Sequence, residues 1–220
     1  MELCFLGGAK AGEFLKTYDG QKNDLYIFGF EGLGEVRYEQ ELKGETRRFE
    51  DVAMLSKKAS AIVVGGCITN TRGHKRKSVL VAENGRLLGV SDCTHTVEKE
   101  ISCGAALRVY ETQKGRMGVI VAEDLRCLET PQALAACGSD FLVCILGAIH
   151  TSMPLVLARA YAYTLGLPVI LSADGYAAVV HERGEVQIAT SQFPFYTSFS
   201  PRGEYHLMQI RRRGIFLEKL

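Results

Sequence analysis

Short, almost unbroken apolar runs recur along this chain, each closed by glycine or by charge. Residues 2–6, 25–30, 61–64, 119–122, 141–146 and 168–173 follow this pattern and predict buried strands. Three further pairs of runs flank turn-forming residues and predict hairpins: 78–82 with 86–90 around Glu83-Asn84-Gly85, 107–111 with 117–122 around Lys114-Gly115, and 177–180 with 185–189 around Glu182-Arg183-Gly184. A last short strand is expected at 205–211. Helical stretches are fewer. A brief one is expected at 11–18 and another at 50–60. A third has Thr130 as N-cap, Pro131 at its first position and Gly138 as its stop. A fourth is capped by Thr151 or Ser152, carries Pro154 in its first turn and runs to about Leu165 before Gly166. The polar residues 32–49 predict no clear element.

The order of these elements implies two similar halves, each a strand–helix unit feeding a hairpin, wrapped round one core. Runs of strands on both sides of few helices favour a two-sheet α/β sandwich with helices outside over one doubly wound sheet. At 220 residues, 47% of them apolar, the chain is long enough for one substantial core, and no linker-like stretch divides it. A single domain spanning 1–220 is expected.

Charge narrows the partners. A formal net charge of +1 gives no broad electrostatic surface for nucleic acid or anionic membrane, and the short basic runs at 72–77 and 211–213 read as solvated faces or dimer-edge residues. No stretch approaches the roughly 18 uncharged apolar residues of a membrane span. The first residues lack the basic start of a signal peptide. Seven cysteines, an odd number scattered through apolar runs, suit buried free thiols in a reducing compartment, so a cytoplasmic location is expected. Cys67, Cys93, His95 and Cys103 lack the compact spacing of a structural zinc site, and no motif calls for a cofactor.

The chemistry gathers where strands end. The run ending at Ala122 opens into Glu123, Asp124 and Arg126, a polar cluster at a strand mouth, where open α/β sheets place their sites. Glu31 follows another strand, either as a pocket acid or as a turn carboxylate satisfied by backbone donors. Glu123 is open to a recognition role, and if it faced Glu31 the two carboxylates would share a proton. Asp124 and Arg126 read better as a network holding the turn. Cys93 is either a pocket-lining thiol or, with a basic partner such as His95, a nucleophile. His150 follows a further strand and is expected at the pocket rim.

Taken together, residues 118–126 with 134–140, the helix containing Leu157-Ala158-Arg159-Ala160-Tyr161-Ala162, the hairpin around Asn84-Gly85 and the strand before Glu31 resemble the nitrilase superfamily of carbon–nitrogen hydrolases. The resemblance covers about 24–211. It implies an αββα two-sheet sandwich, internally pseudo-symmetric, that commonly assembles as a homo-oligomer such as a dimer. Only residues 7–23 separate the first two strands, which leaves little room for a full first helix.

The resemblance also implies a glutamate base, a lysine supporting the oxyanion and a cysteine nucleophile, used on amides or nitriles. Carried onto this chain, the glutamate falls on Glu31, the lysine position on Cys93 and the nucleophile position on Ala122. A methyl group cannot attack a carbonyl or nitrile carbon. Losing the lysine removes a positive charge of the kind worth roughly 3 kcal/mol at a developing anion. The expectation is a nitrilase-like protein without standard amidase or nitrilase catalysis, retaining a pocket for a small amide or carboxylate, or an oligomeric structural role. The alternative is a divergent hydrolase acting through Cys93 or through water activated by Glu31.

Overall fold

Alternation inside the apolar runs decides the layering, because successive side chains of a strand point to opposite faces. Leu3, Phe5, Ile27, Ile62 and Val64 turn one way into a central core, while Cys4, Leu6, Tyr26, Phe28 and Val63 turn the other way onto helices. In the second half, Val119, Val121, Val143 and Ile145 meet that same central core, and Ile120, Leu142 and Cys144 face a second helical layer. Strands buried on both faces need apolar residues at every position, so their runs are continuous.

The structure is a computed structural model and describes residues 1–200; the strand expected at 205–211 lies outside the described residues. Its first half runs β1 (Glu2–Leu6), α1 (Ala11–Thr17), β2 (Leu25–Phe28), β3 (Gly34–Arg37), α2 (Tyr38–Leu42), α3 (Arg48–Ala59), β4 (Ile62–Thr71), β5 (His74–Glu83) and β6 (Arg86–Asp92). The second half runs β7 (Val109–Thr112), β8 (Gly115–Val121), a 3₁₀ turn (Ala122–Arg126), α4 (Glu129–Ala136), β9 (Phe141–Ala148), α5 (Met153–Leu165), β10 (Val169–Asp174), β11 (Tyr176–Val180), β12 (Val186–Thr190) and β13 (Phe195–Ser198). One sheet has the order β13-β1-β2-β4-β5-β6, with β3 parallel to the far part of β4; the other has the order β12-β11-β10-β9-β8-β7. Each holds three parallel strands, β1-β2-β4 or β8-β9-β10, extended by an antiparallel hairpin. Helices α1 and α3 cover the first sheet, and α4 and α5 the second, giving the αββα sandwich. Among the described residues no helix is long and apolar enough to cross a membrane.

Several elements depart from the sequence expectation. The strand expected to stop at Gly65 continues through both glycines to Thr71. There a Cβ on Gly66 would stand 2.4 Å from Phe30 Cα, so the bare backbone lets the 29–33 loop lie against the strand. Gly66 N–H donates to Gly29 O at 3.2 Å, and Leu33 N–H donates to Gly66 O at 3.0 Å. Residues 34–42, unassigned from sequence, hold β3 and α2. Thr130 is not an N-cap: it sits inside α4, buried, with its hydroxyl unpartnered among the described residues. Helix α1 is only seven residues long, in keeping with its short segment.

Candidate functional site

The carboxyl ends of β2, β8 and β9 open on a cavity of about 250 Å³. Phe30, Leu125, Leu146 and Leu157 make its apolar wall, and Lys77, Glu98 and Glu123 bring charge into it. Ala122 lines it at the point where β8 gives way to the 3₁₀ turn. Ala122 has φ +47°, a left-handed conformation that costs an L-residue roughly 1–2 kcal/mol. The bend aims its methyl group at the cavity and Glu123 beside it.

Behind the bend, Asp124 is almost fully buried and ties the two sheets together. It accepts the backbone N–H groups of Thr94 and His95, each at 2.8 Å, and the Thr94 hydroxyl at 2.9 Å. His95 Nδ1 lies 2.9 Å from the same carboxylate, and the His95 ring is half exposed outside the cavity lining. The structural reading of Asp124 therefore describes its surroundings, whereas Arg126 stands exposed at the cavity rim.

Glu123 does not face Glu31. Its carboxylate pairs with Lys77, whose ammonium also donates to Glu98 Oε1 at 2.6 Å. Burial alone would raise the pKa of Glu123, but the Lys77 hydrogen bond and charge bring it below the ordinary carboxylate value. Burial likewise works against the charged Lys77, and its two carboxylate partners overcome that and raise its pKa. A proton shared with Glu31 has no place in this arrangement. Glu31 is instead 61% exposed and lies 3.6 Å from Lys10, outside the residues lining the cavity. His150 is exposed and also outside that lining.

Cys93 is buried beside Glu123, its thiol donating to His95 O at 3.0 Å and lying 3.6 Å from Glu123 Oε2. Burial first, then the charges of Asp124 and Glu123, push that thiol up to about 12. Such a group is a thiol and not a thiolate at neutral pH. Among the described residues no set of three or more His, Cys, Asp or Glu side chains gathers as a metal site.

Lys77 was missed in the sequence, where it read as part of a solvated basic run. The strand begins at His74, four residues upstream of the start expected at 78, and period two places Lys77 on the same face as Val79 and Val81, both in the central core. Lys77 O accepts the Cys93 N–H at 2.8 Å, so the position that resembles the family's lysine and this lysine are neighbours across the sheet edge. A lysine side chain thus lines the cavity from the strand next to Cys93.

No family profile and no curated protein sequence matches the chain. Solved structures do. Nit3 of Saccharomyces cerevisiae, a member of branch 10 of the nitrilase superfamily, superposes with a TM-score of 0.77 over 100% of this chain and 95% of its own, at 17% identity. The fold is that of the nitrilase superfamily. An amidase from Nesterenkonia sp. AN1 matches at a TM-score of 0.74 and 15% identity over 98% of each chain. A carbon–nitrogen hydrolase from Helicobacter pylori G27 matches at 0.70 and 16%, over 87% of this chain and 86% of its own.

Proposed function

We propose that this chain is a nitrilase-like protein that binds a small amide or carboxylate in the cavity at Ala122 without hydrolysing it through a cysteine. The observation that carries this reading is the left-handed bend itself, which places Ala122 in the wall of a charged cavity whose lining, among the described residues, contains no thiol. Covalent catalysis needs a nucleophile within reach of the bound carbon. The Cys93 thiol beside Glu123 is buried, and that burial keeps it protonated.

Similar proteins lend support of two kinds. In the E41Q variant of the Nesterenkonia amidase, acrylamide has added to the active-site cysteine. A cysteine-to-alanine variant of that amidase forms a complex with butyramide. An alanine in this fold is thus compatible with amide binding. Here Lys77 supplies hydrogen-bond donors, Glu98 and Glu123 supply acceptors, and the apolar wall suits a short aliphatic tail.

The test is incubation with a panel of short amides and nitriles, following ammonia release and intact protein mass. No ammonia and no mass increase are expected, together with saturable binding of butyramide in ligand-observed NMR. Ammonia release that disappears in Cys93→Ser or Glu31→Gln would instead establish a hydrolase.

A further inference from the structure

Between β6 and β7 the chain runs past the cavity in an irregular stretch whose two ends are held far more firmly than its middle. At one end the Cys93 N–H donates to Lys77 O at 2.8 Å, and the N–H groups of Thr94 and His95 donate to the buried Asp124 carboxylate. At the other the Ser102 N–H donates to Lys75 O at 2.8 Å, and the Gly104 N–H donates to Cys93 O at 2.7 Å. Both ends are thus pinned to β5, and residues 96–100 join them. Among the described residues the backbone of 96–100 bonds to no other element. The Glu98 N–H meets Thr96 Oγ1, and Glu98 O meets the Ile101 N–H, both inside the stretch. Val97 is 91% exposed, so apolar packing adds little. What ties 96–100 to the body is one ion pair, Glu98 Oε1 with Lys77 Nζ at 2.6 Å, and both of these residues line the cavity.

From this asymmetry we infer that residues 96–100 are a flap at the mouth of the cavity, latched shut by Glu98 on Lys77 and opened when that pair breaks. Releasing the latch strands no charge. Lys77, only 13% exposed, keeps Glu123 as its partner, while Glu98, already 53% exposed, passes to water. The closed and open arrangements therefore differ by little more than one partly exposed ion pair, and salt screens such a pair. The pinned ends confine the motion to the flap, with hinges just inside His95 and Ile101. Opening withdraws Glu98 from the lining and widens the way to Ala122, while the strands stay in place. The inference holds whatever the cavity binds.

The experiment compares the full chain with E98Q and, as a control, with E100Q, a change at an exposed glutamate of the same flap. Backbone nitrogen relaxation at low salt is expected to give wild type and E100Q order parameters near about 0.85 over 96–100, and E98Q values falling toward about 0.6, with 102–104 unchanged in all three. Sodium chloride at about 0.5 M should loosen wild type in the same way and leave E98Q as it is, and this arm needs no variant. Access is read on A122C by peptide mass spectrometry, as the ratio of alkylation by bulky N-phenylmaleimide to that by small iodoacetamide. Any change in thiolate fraction cancels in that ratio. Adding E98Q to A122C should raise it roughly fivefold, in step with the open fraction. Equal order parameters in folded wild type and E98Q, or a wild-type flap already mobile at low salt, would overturn the latch. A loosened flap with an unchanged alkylation ratio would overturn its control of the cavity.

Discussion

At Ala122 the backbone holds φ +47° on a residue with a side chain, and the conformation constrains substitution more than the small volume does. Glycine adopts this region freely, at the cost of greater freedom in the unfolded chain. Ala122→Gly is therefore expected to change stability by less than about 1 kcal/mol, while β-branched Ala122→Val should lose about 2 kcal/mol, both measured by urea denaturation. The neighbouring ion pair gives a pH signature. Glu123 has a folded-state pKa below its ordinary value of 4.5, so its stabilisation is complete above that value and is lost as pH falls through the lower, folded-state one. Lys77, raised above 10.5, contributes fully below that value and loses its contribution as pH rises through the folded-state one. Acid titration of stability in wild type should thus show a decline that E123Q flattens. The high pKa of Cys93 predicts a third outcome. Iodoacetamide at pH 7.5 should label the exposed Cys103 and Cys137 of the native protein and spare Cys93, as read by peptide mass spectrometry.

Among the elements, β4 does most to place the cavity, through two glycines that sequence reading takes for its end. Backbone atoms of Phe30 lie where a Gly66 side chain would stand, and Phe30 itself lines the cavity. Gly66→Ala is expected to cost at least about 2 kcal/mol by overpacking, and to weaken ligand binding through the displaced Phe30 ring. The positions of most strands and helices were legible because burial on both faces writes continuous apolar runs. What escaped were the parts set by tertiary approach. The extension of β4 depends on a loop packing against bare glycine backbone. The inward turn of Lys77 depends on a strand continuing past its apolar residues into polar ones. Thr130 looks like a cap but is buried within its helix, where packing overrides local preference.

For the molecule as a whole, the two sheets are fastened at their edges by polar clasps as well as by the core between them. Away from the cavity, Lys114 reaches Asp24 at 2.8 Å, and Gln113 N–H donates to Glu83 at 3.0 Å. At the cavity end, Asp124 gathers donors from the segment after β6 onto the turn after β8. Removing the partly exposed Lys114 should change stability by less than about 1 kcal/mol. Asp124→Ala strands buried donors and should cost about 3 kcal/mol, with both values read from urea denaturation midpoints.

The αββα frame and the place of the strand-mouth cluster could be anticipated from the chain, whereas the partners within the cluster depend on side chains brought from opposite sheets. The position of Asp124 also explains what holds the strained bend. The aspartate lies two residues beyond Ala122 and fastens one half of the protein to the other, so the distorted peptide is secured by architecture that owes nothing to reactivity. Loosening that fastening should therefore relax the bend and reshape the cavity without altering any residue that lines it.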